Sequence, residues 1–331
     1  MIICEQRSAD LRFAIPDQRG SAMALTGIAL AEAGQGIVVA ARGLAGEAAR
    51  LLDRSGDRPG LSGALNNLAA IEVISVGPTV LGGVIFYPAD QAAQAISGWR
   101  EATADAPEEL TSMINLTAAP PLPFLPESVH GSRVAVVIVC YARDLHKGEA
   151  AVAGLRRLGD PIADVLAPMP YLALQQLVDP LWEAGAANYF TSVFLDGVPD
   201  LAVDTLVEAH GRSAVPPATC ELHVHHLGGA MYRIDKDDTA FPYRRSPFLF
   251  NCIVRSQHPA ELPPLVERAL RTREGMSRFG GGLYVNFSGE GGAERAANPP
   301  QTYTRLAEVK HMYDPDNVFR FNQNISPAPE Y

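Results

Sequence analysis

Gly281-Gly282-Leu283-Tyr284-Val285-Asn286-Phe287 and, further on, Tyr313-Asp314-Pro315-Asp316-Asn317-Val318-Phe319-Arg320-Phe321-Asn322-Gln323-Asn324-Ile325 are the stretches from which the rest of the chain is read. In the first, Leu283, Val285 and Phe287 alternate with Tyr284 and Asn286, which predicts a short strand with one apolar and one polar face. A phenol and an amide two residues apart on one strand face lie about 7 Å apart and can donate and accept toward a flat, polar-edged ligand. A half-buried strand whose polar face is merely wet has the same spacing. In the second stretch the amides Asn317, Asn322 and Gln323 follow a turn, where amides bind either a polar ligand edge or loop backbone.

Outward from these segments, composition sets the bounds. The 331 residues are 47% hydrophobic, enough for a sizeable core in one large domain or two ordinary ones. A net charge of −10 argues against nucleic acid as a partner. No apolar run reaches membrane-spanning length without a charge or a turn signal, which argues against a membrane partner. The N-terminus, with Glu5, Asp10 and Asp17, lacks the order of a signal peptide, and the expected location is cytoplasmic. The four cysteines have no metal-ligand spacing, and Cys140 and Cys252 sit inside apolar runs as buried thiols.

From residue 76 onward the expected order is a strand at 79–87, a helix at 89–104, strands at 110–118 and 134–141, and a helix at 148–158. Then come a strand at 187–195, a helix at 199–210, and strands at 219–227, 230–234 and 248–255. A helix at 259–273, the signature strand at 283–287 and a last helix at 303–312 complete it. Ala92, Ala95, Ile96 and Trp99 form a stripe at helical spacing, whereas Val134 to Tyr141 is a continuous apolar run suited to a central strand. This order implies an α+β fold: a large, mainly antiparallel sheet with helices on one face. Residues 1–75 are rich in Ala and Gly and read as a small helical segment (Ala22 to Glu32, Gly46 to Asp53) with a short strand at Ile37-Val38-Val39. Ile71 to Val76 alternates weakly, as an opening strand would.

His223, His225 and His226 look like a metal cluster, but His226 faces away from the other two and no Asp, Glu or Cys completes a set at a recognisable spacing. They read as strand histidines beside a ligand cavity, with no metal expected.

The two quoted stretches together resemble the C-terminal signature of the berberine bridge enzyme-like FAD-linked oxidases. In that family a Tyr-x-Asn-Tyr/Phe strand is followed by a helix and a Tyr-Asp-Pro-x-Asn-x-Phe-Arg-x-Asn-Gln-x-Ile tail. The likeness runs more loosely through Gly228-Gly229-Ala230 and Thr239-Ala240-Phe241-Pro242-Tyr243-Arg244 back to Val76. It implies a substrate-binding domain over residues 76–331, FAD as cofactor, and oxidation of a small organic substrate by hydride transfer to flavin. It further implies Tyr284 as the catalytic base near flavin and substrate, and Asn286, Asn322 and Gln323 as cofactor contacts. Tyr243 stands where the family has His. Phe250 and Leu227 stand where some members carry an ionisable residue, which leaves Tyr284 as the base.

Residues 1–75 lack the family's Arg-x-Gly-Gly-His segment, whose His can be bonded to the flavin, and its Gly-Gly-Gly turn. Those motifs supply donors to the pyrophosphate. Two readings follow: an FAD-dependent oxidoreductase, acting alone, as a homo-oligomer or with a separate flavin-binding chain, or a truncated, catalytically silent substrate-domain remnant that binds a small molecule or a protein.

Overall fold

The computed structural model describes residues 38–55 and 79–331 except 180, 181, 183, 214, 215, 217, 237, 290–292, 322, 330 and 331; of the remaining N-terminal residues it describes 22, 25, 26, 28, 29, 57 and 64. Among the described residues the strands are β1 (Thr79–Pro88), β2 (Leu110–Ala118), β3 (Arg133–Tyr141), β4 (Ala163–Asp164), β5 (Ala167–Pro170), β6 (Ala187–Leu195), β7 (Thr219–His226), β8 (Phe248–Ser256) and β9 (Gly280–Gly281). The helices are α1 (Val38–Ser55), α2 (Ala92–Thr103), α3 (Leu145–Val152), α4 (Tyr171–Gln175), α5 (Asp200–Gly211), α6 (Leu262–Met276), α7 (Ala293–Ala297) and α8 (Pro300–Tyr313). The strands form one sheet in the order β4-β1-β3-β2-β7-β8-β6-β9, with β5 also paired to β1. Each neighbouring pair along that path is antiparallel. The fold is therefore α+β with a large antiparallel sheet, in which β4, β5 and β9 are very short strands that no sequence pattern announced.

Strand parity decides what each face holds. One face carries Ile85, Ile114, Leu116, Val137, Leu222, Phe250 and Leu195 into the main core, where Ala95, Ile96 and Trp99 of α2, Val203 and Leu206 of α5, and Leu265 and Ala269 of α6 meet them. Trp99 is fully buried; its Nε1 donates to Ser112 Oγ at 3.0 Å and its ring lies 5.6 Å from that of Phe248. A fully buried indole N–H needs such a partner. On the other face, at the β1–β3 end, Val84, Phe86, Val134 and Val136 form a second cluster closed by Ala119 and Leu125 of the Pro-rich loop.

The chain divides into two compact units, residues 1–80 with 170–172, and 81–169 with 173–331. In the first, α1 is an 18-residue amphipathic helix whose Ala41, Leu44, Ala48 and Leu52 are buried with Leu25, Ala29 and Ala64. Residues 22, 25, 26, 28 and 29 are helical, as expected within Ala22 to Glu32. The expected strand at Ile37-Val38-Val39 is not one: Val38 and Val39 open α1, and Ile37 lies outside the described residues. The expected strand at Ile71 to Val76 also lies outside them.

Two further expectations are corrected. Residues 230–234 do not form a strand; Gly229–Arg233 is a 3-10 turn entered through Gly229 at φ +57. Leu283 to Phe287 is not a strand either. Pairing to β6 stops at Gly281, Gly282 takes φ +70, and Val285–Phe287 closes a 3-10 turn. A glycine at positive φ turns the backbone off the sheet edge at little steric cost, so alternation of apolar and polar residues did not guarantee a strand there.

Candidate functional site

Toward the β7–β8–β6 end, the sheet face turned away from the main core changes character. The residues that point away from the main core there include Asn115 on β2, Glu221, His223 and His225 on β7, Asn251 on β8, and Phe190, Ser192 and Phe194 on β6. The register sets Asn115 opposite His223, His223 opposite Asn251, and Asn251 opposite Ser192. Four polar side chains thus form a row across four strands. All four are buried, with exposures of 7, 8, 0 and 1% in that order.

The row has an electrostatic structure. Glu221 Oε2 accepts from Asn115 Nδ2 at 3.2 Å and lies 3.1 Å from His223 Nε2. Burial pushes the Glu221 carboxyl up, but the hydrogen bond and charge of His223, the Asn115 amide and the charge of Arg255 outweigh it, and its pKa ends below the ordinary carboxylate range. Burial, helped by the charge of His223, pushes His225 down to about 3, so its ring is neutral near pH 7. Both amide atoms of Asn251, Asn115 Oδ1 and His225 Nε2 are buried with no hydrogen-bond partner among the described residues. Native interiors rarely leave such groups unpaired, and each exception asks for an explanation. The described residues hold no group of three His, Cys, Asp or Glu side chains arranged for a metal.

Tyr284 and Asn286 come to this face by the turn rather than by a strand. The Tyr284 N–H donates to Ser192 Oγ at 3.0 Å, which ties Tyr284 to the end of the polar row. Asn286 Nδ2 donates to the Tyr284 hydroxyl at 2.9 Å, so the two side chains meet instead of standing apart on one strand face. Aromatic rings surround them: Phe287 is 5.2 Å and Phe241 6.1 Å from Tyr284, both edge-on, and Phe287 also lies 6.3 Å from Phe190 and 5.9 Å from His225. Tyr243, the residue at the family's His position, stacks on Phe194 at 4.3 Å, and its phenol is pushed up by burial.

The tail residues are placed differently. Gln323 Nε2 donates to the Ser288 carbonyl at 3.3 Å. Asn317 adopts φ +51 in the turn, and its N–H donates to the Asp314 carbonyl at 3.0 Å. Asn322 lies outside the described residues. Asp314 organises this turn: it pairs with Lys310, and its carboxylate accepts from the N–H groups of Val318 at 2.8 Å and Phe319 at 3.1 Å. Beyond it Phe319 and Phe321 are 78% and 92% exposed. Sequence reasoning missed Asn115, Glu221, Ser192 and Asn251. The available signal was parity: a polar residue inside an apolar strand, as Asn251 is within Phe248 to Val254, needs a partner on the face it meets.

A separate cleft of about 800 Å³ opens where α2 meets the Gly228-Gly229 turn, lined by Arg100, Thr111, His226 and Phe248 among others; it includes neither Tyr284 nor Asn286. Among the described residues no helix is long and apolar enough to cross a membrane.

Residues 301–326 match the family model described as berberine and berberine like. An FAD-linked oxidoreductase of Dictyostelium discoideum is 24% identical over 251 residues, 74% of this chain and 51% of that protein. (R)-6-hydroxynicotine oxidase of Paenarthrobacter nicotinovorans is 28% identical over 220 residues, 60% of this chain and 45% of that protein. The crystal structure of 6-hydroxy-D-nicotine oxidase from Arthrobacter nicotinovorans superposes with a TM-score of 0.63 at 18% identity, over 76% of this chain and 55% of that one. The chain thus spans about half the length of these relatives.

Proposed function

We propose that residues 76–331 form the substrate-binding domain of an FAD-dependent oxidoreductase acting on a small organic molecule, a reading supported by the match of residues 301–326 to the berberine and berberine like model and by the likeness to FAD-linked oxidoreductases. The observation that carries the reading is the sheet face turned away from the main core, where unpartnered buried polar atoms lie beside a shell of aromatic rings and the Tyr284–Asn286 pair. Such a face suits a flat ring with polar edges. Bound FAD would supply the acceptor for a hydride. On this reading Asn286, whose side chain is exposed and keeps its Oδ1 acceptor, holds the ring edge. Tyr284, with its hydroxyl held by Asn286 and its backbone by Ser192, receives the substrate proton. Gln323 supports the Ser288 carbonyl and so fixes the turn behind them. The charged pyrophosphate would need donors from elsewhere. Phe319 and Phe321 supply an exposed apolar surface on which a flavin-binding chain or a second copy would sit.

The test is direct. The purified full chain, alone and titrated with FAD, should show a flavin band near about 450 nm that is retained on gel filtration. If added FAD leaves no retained band with the chain alone or together with a flavin-binding partner chain, the alternative holds, and the chain is a silent substrate-domain remnant.

A further inference from the structure

We propose that the polar row is the recognition site for the hydroxyl of an uncharged alcohol with a flat apolar body, such as an aryl alcohol, and that it discriminates against the corresponding ammonium ion. The inference rests on the proposed oxidoreductase only in calling this ligand a substrate; the binding site itself stands on the row.

Asn251 is fully buried, and its Nδ2 donor and Oδ1 acceptor are both unpaired among the described residues. The buried Nε2 of His225, on the same face of the neighbouring strand, is also unpaired. These atoms ask for a group that donates and accepts at one point. A hydroxyl does both, whereas an ammonium ion only donates.

Charge gives the same answer. Glu221 is the carboxylate beside the row, and its Oε2 already serves Asn115 and His223. His225 is held neutral by its surroundings. Arg255 alternates onto the same face of β8, and its guanidinium lies 4.8 Å over the Trp182 ring. An incoming cation would therefore meet a neutral imidazole, a carboxylate already committed and a nearby guanidinium, and it would lose its hydration without a free counter-charge. The apolar body would meet aromatic rings. Phe287 lies against His225, Phe190 and Tyr284, so rings flank the row where it passes under the turn.

The experiment uses the full chain without flavin, so that failure of the cofactor reading, seen in the absorbance test, stays separate from failure of this one. Benzyl alcohol and benzylamine, the latter cationic at pH 7, are titrated while the Asn side-chain N–H₂ and His ring resonances are followed by NMR. Benzyl alcohol should give saturable shifts of Asn251 and His225, and the ammonium ion should bind at least about tenfold more weakly, the scale of one buried hydrogen bond. Asn251→Leu should weaken benzyl alcohol by about tenfold or more while the protein stays folded, as thermal unfolding reports. Asn251→Asp should reverse the preference in favour of the ammonium ion. Equal binding of the two probes, shifts that do not saturate, or alcohol binding unchanged in Asn251→Leu would show that the row holds only water and would overturn the proposal.

Discussion

Replacing Asn251 by Leu should make the protein more stable. Asn251 sits in the middle of β8, between Leu249 and Ile253 on its own face, and none of its surface reaches solvent. In water its amide makes several hydrogen bonds; in the fold it has no partner among the described residues. A buried polar group left unsatisfied costs about 1–3 kcal/mol, and an apolar side chain of similar size removes that cost. Leu differs little in volume, so overpacking should be small. We expect a net gain of about 2 kcal/mol. For a unit of this size each kcal/mol moves the midpoint by about 2–4 °C, so the midpoint should rise by about 4–8 °C. Thermal unfolding of the full chain followed by circular dichroism measures it. The control is Asn115→Leu, which removes the 3.2 Å bond to the largely buried Glu221 carboxylate and should lower the midpoint instead. A fall of several degrees in Asn251→Leu would mean that the fold itself uses the amide, and the case for a ligand partner would go with it.

The other expected outcomes concern acid stability, the turn and the proposed base. His210 is buried with both ring nitrogens unpartnered, and burial, then the charge of Arg133, pushes it down to about 4. Between pH 6.5 and 4 the unfolded chain takes up this proton first, so stability is full above 6.5, falls as the pH drops, and levels off below 4. The loss is about 3 kcal/mol from this residue, and His210→Leu should flatten that part of a urea-unfolding pH profile. Gly282 has φ +70, and a Cβ there would fall 2.0 Å from the Tyr243 ring. Gly282→Ala should therefore cost at least about 1–2 kcal/mol in denaturant unfolding and dislodge Tyr243 from Phe194. Tyr284→Phe keeps the ring contacts and loses the hydroxyl that Asn286 holds. It should leave unfolding within about 1 kcal/mol of the parent. In flavin-loaded protein it should slow anaerobic reduction by substrate about a hundredfold; an unchanged rate would remove Tyr284 as the base.

Much of the fold was legible because its signals are local. Leu110 to Ala118 and Ala187 to Leu195 have the ends expected of them, since apolar alternation there is bounded by residues that do not continue it. The helix at 92–103 follows from its Ala92-Ala95-Ile96-Trp99 stripe. The failures are also local in cause. Leu283 to Phe287 alternates like a strand, but the three glycines before it let the backbone leave β6 after two paired residues. Gly229 does the same before residues 230–234. The polar row had no such signal. Asn115, Ser192, His223 and Asn251 lie on four strands, and only the pairing register makes them neighbours.

The row also carries an argument about purpose that its pieces do not. At the β1–β3 end the same face of the same sheet is closed with Val84, Phe86, Val134 and Val136, so this architecture accepts an apolar covering on that side. Nothing in the sheet's hydrogen bonding requires Asn at 251 or His at 225, because the ladder is made by backbone. Each unpartnered buried polar group still subtracts of the order of 1 kcal/mol or more from stability. Four such atoms cluster within one register step of each other, beside Glu221 and under the Tyr284 turn, while the surrounding strand residues are Leu, Ile and Phe. Scattered defects would fall on either face and on any strand. Single unpartnered groups do occur elsewhere, as at His210 and Arg133, but four such atoms lie together on this face at the end where the signature turn returns to the sheet, and a ligand that completes those bonds explains the grouping better than tolerance of poor packing.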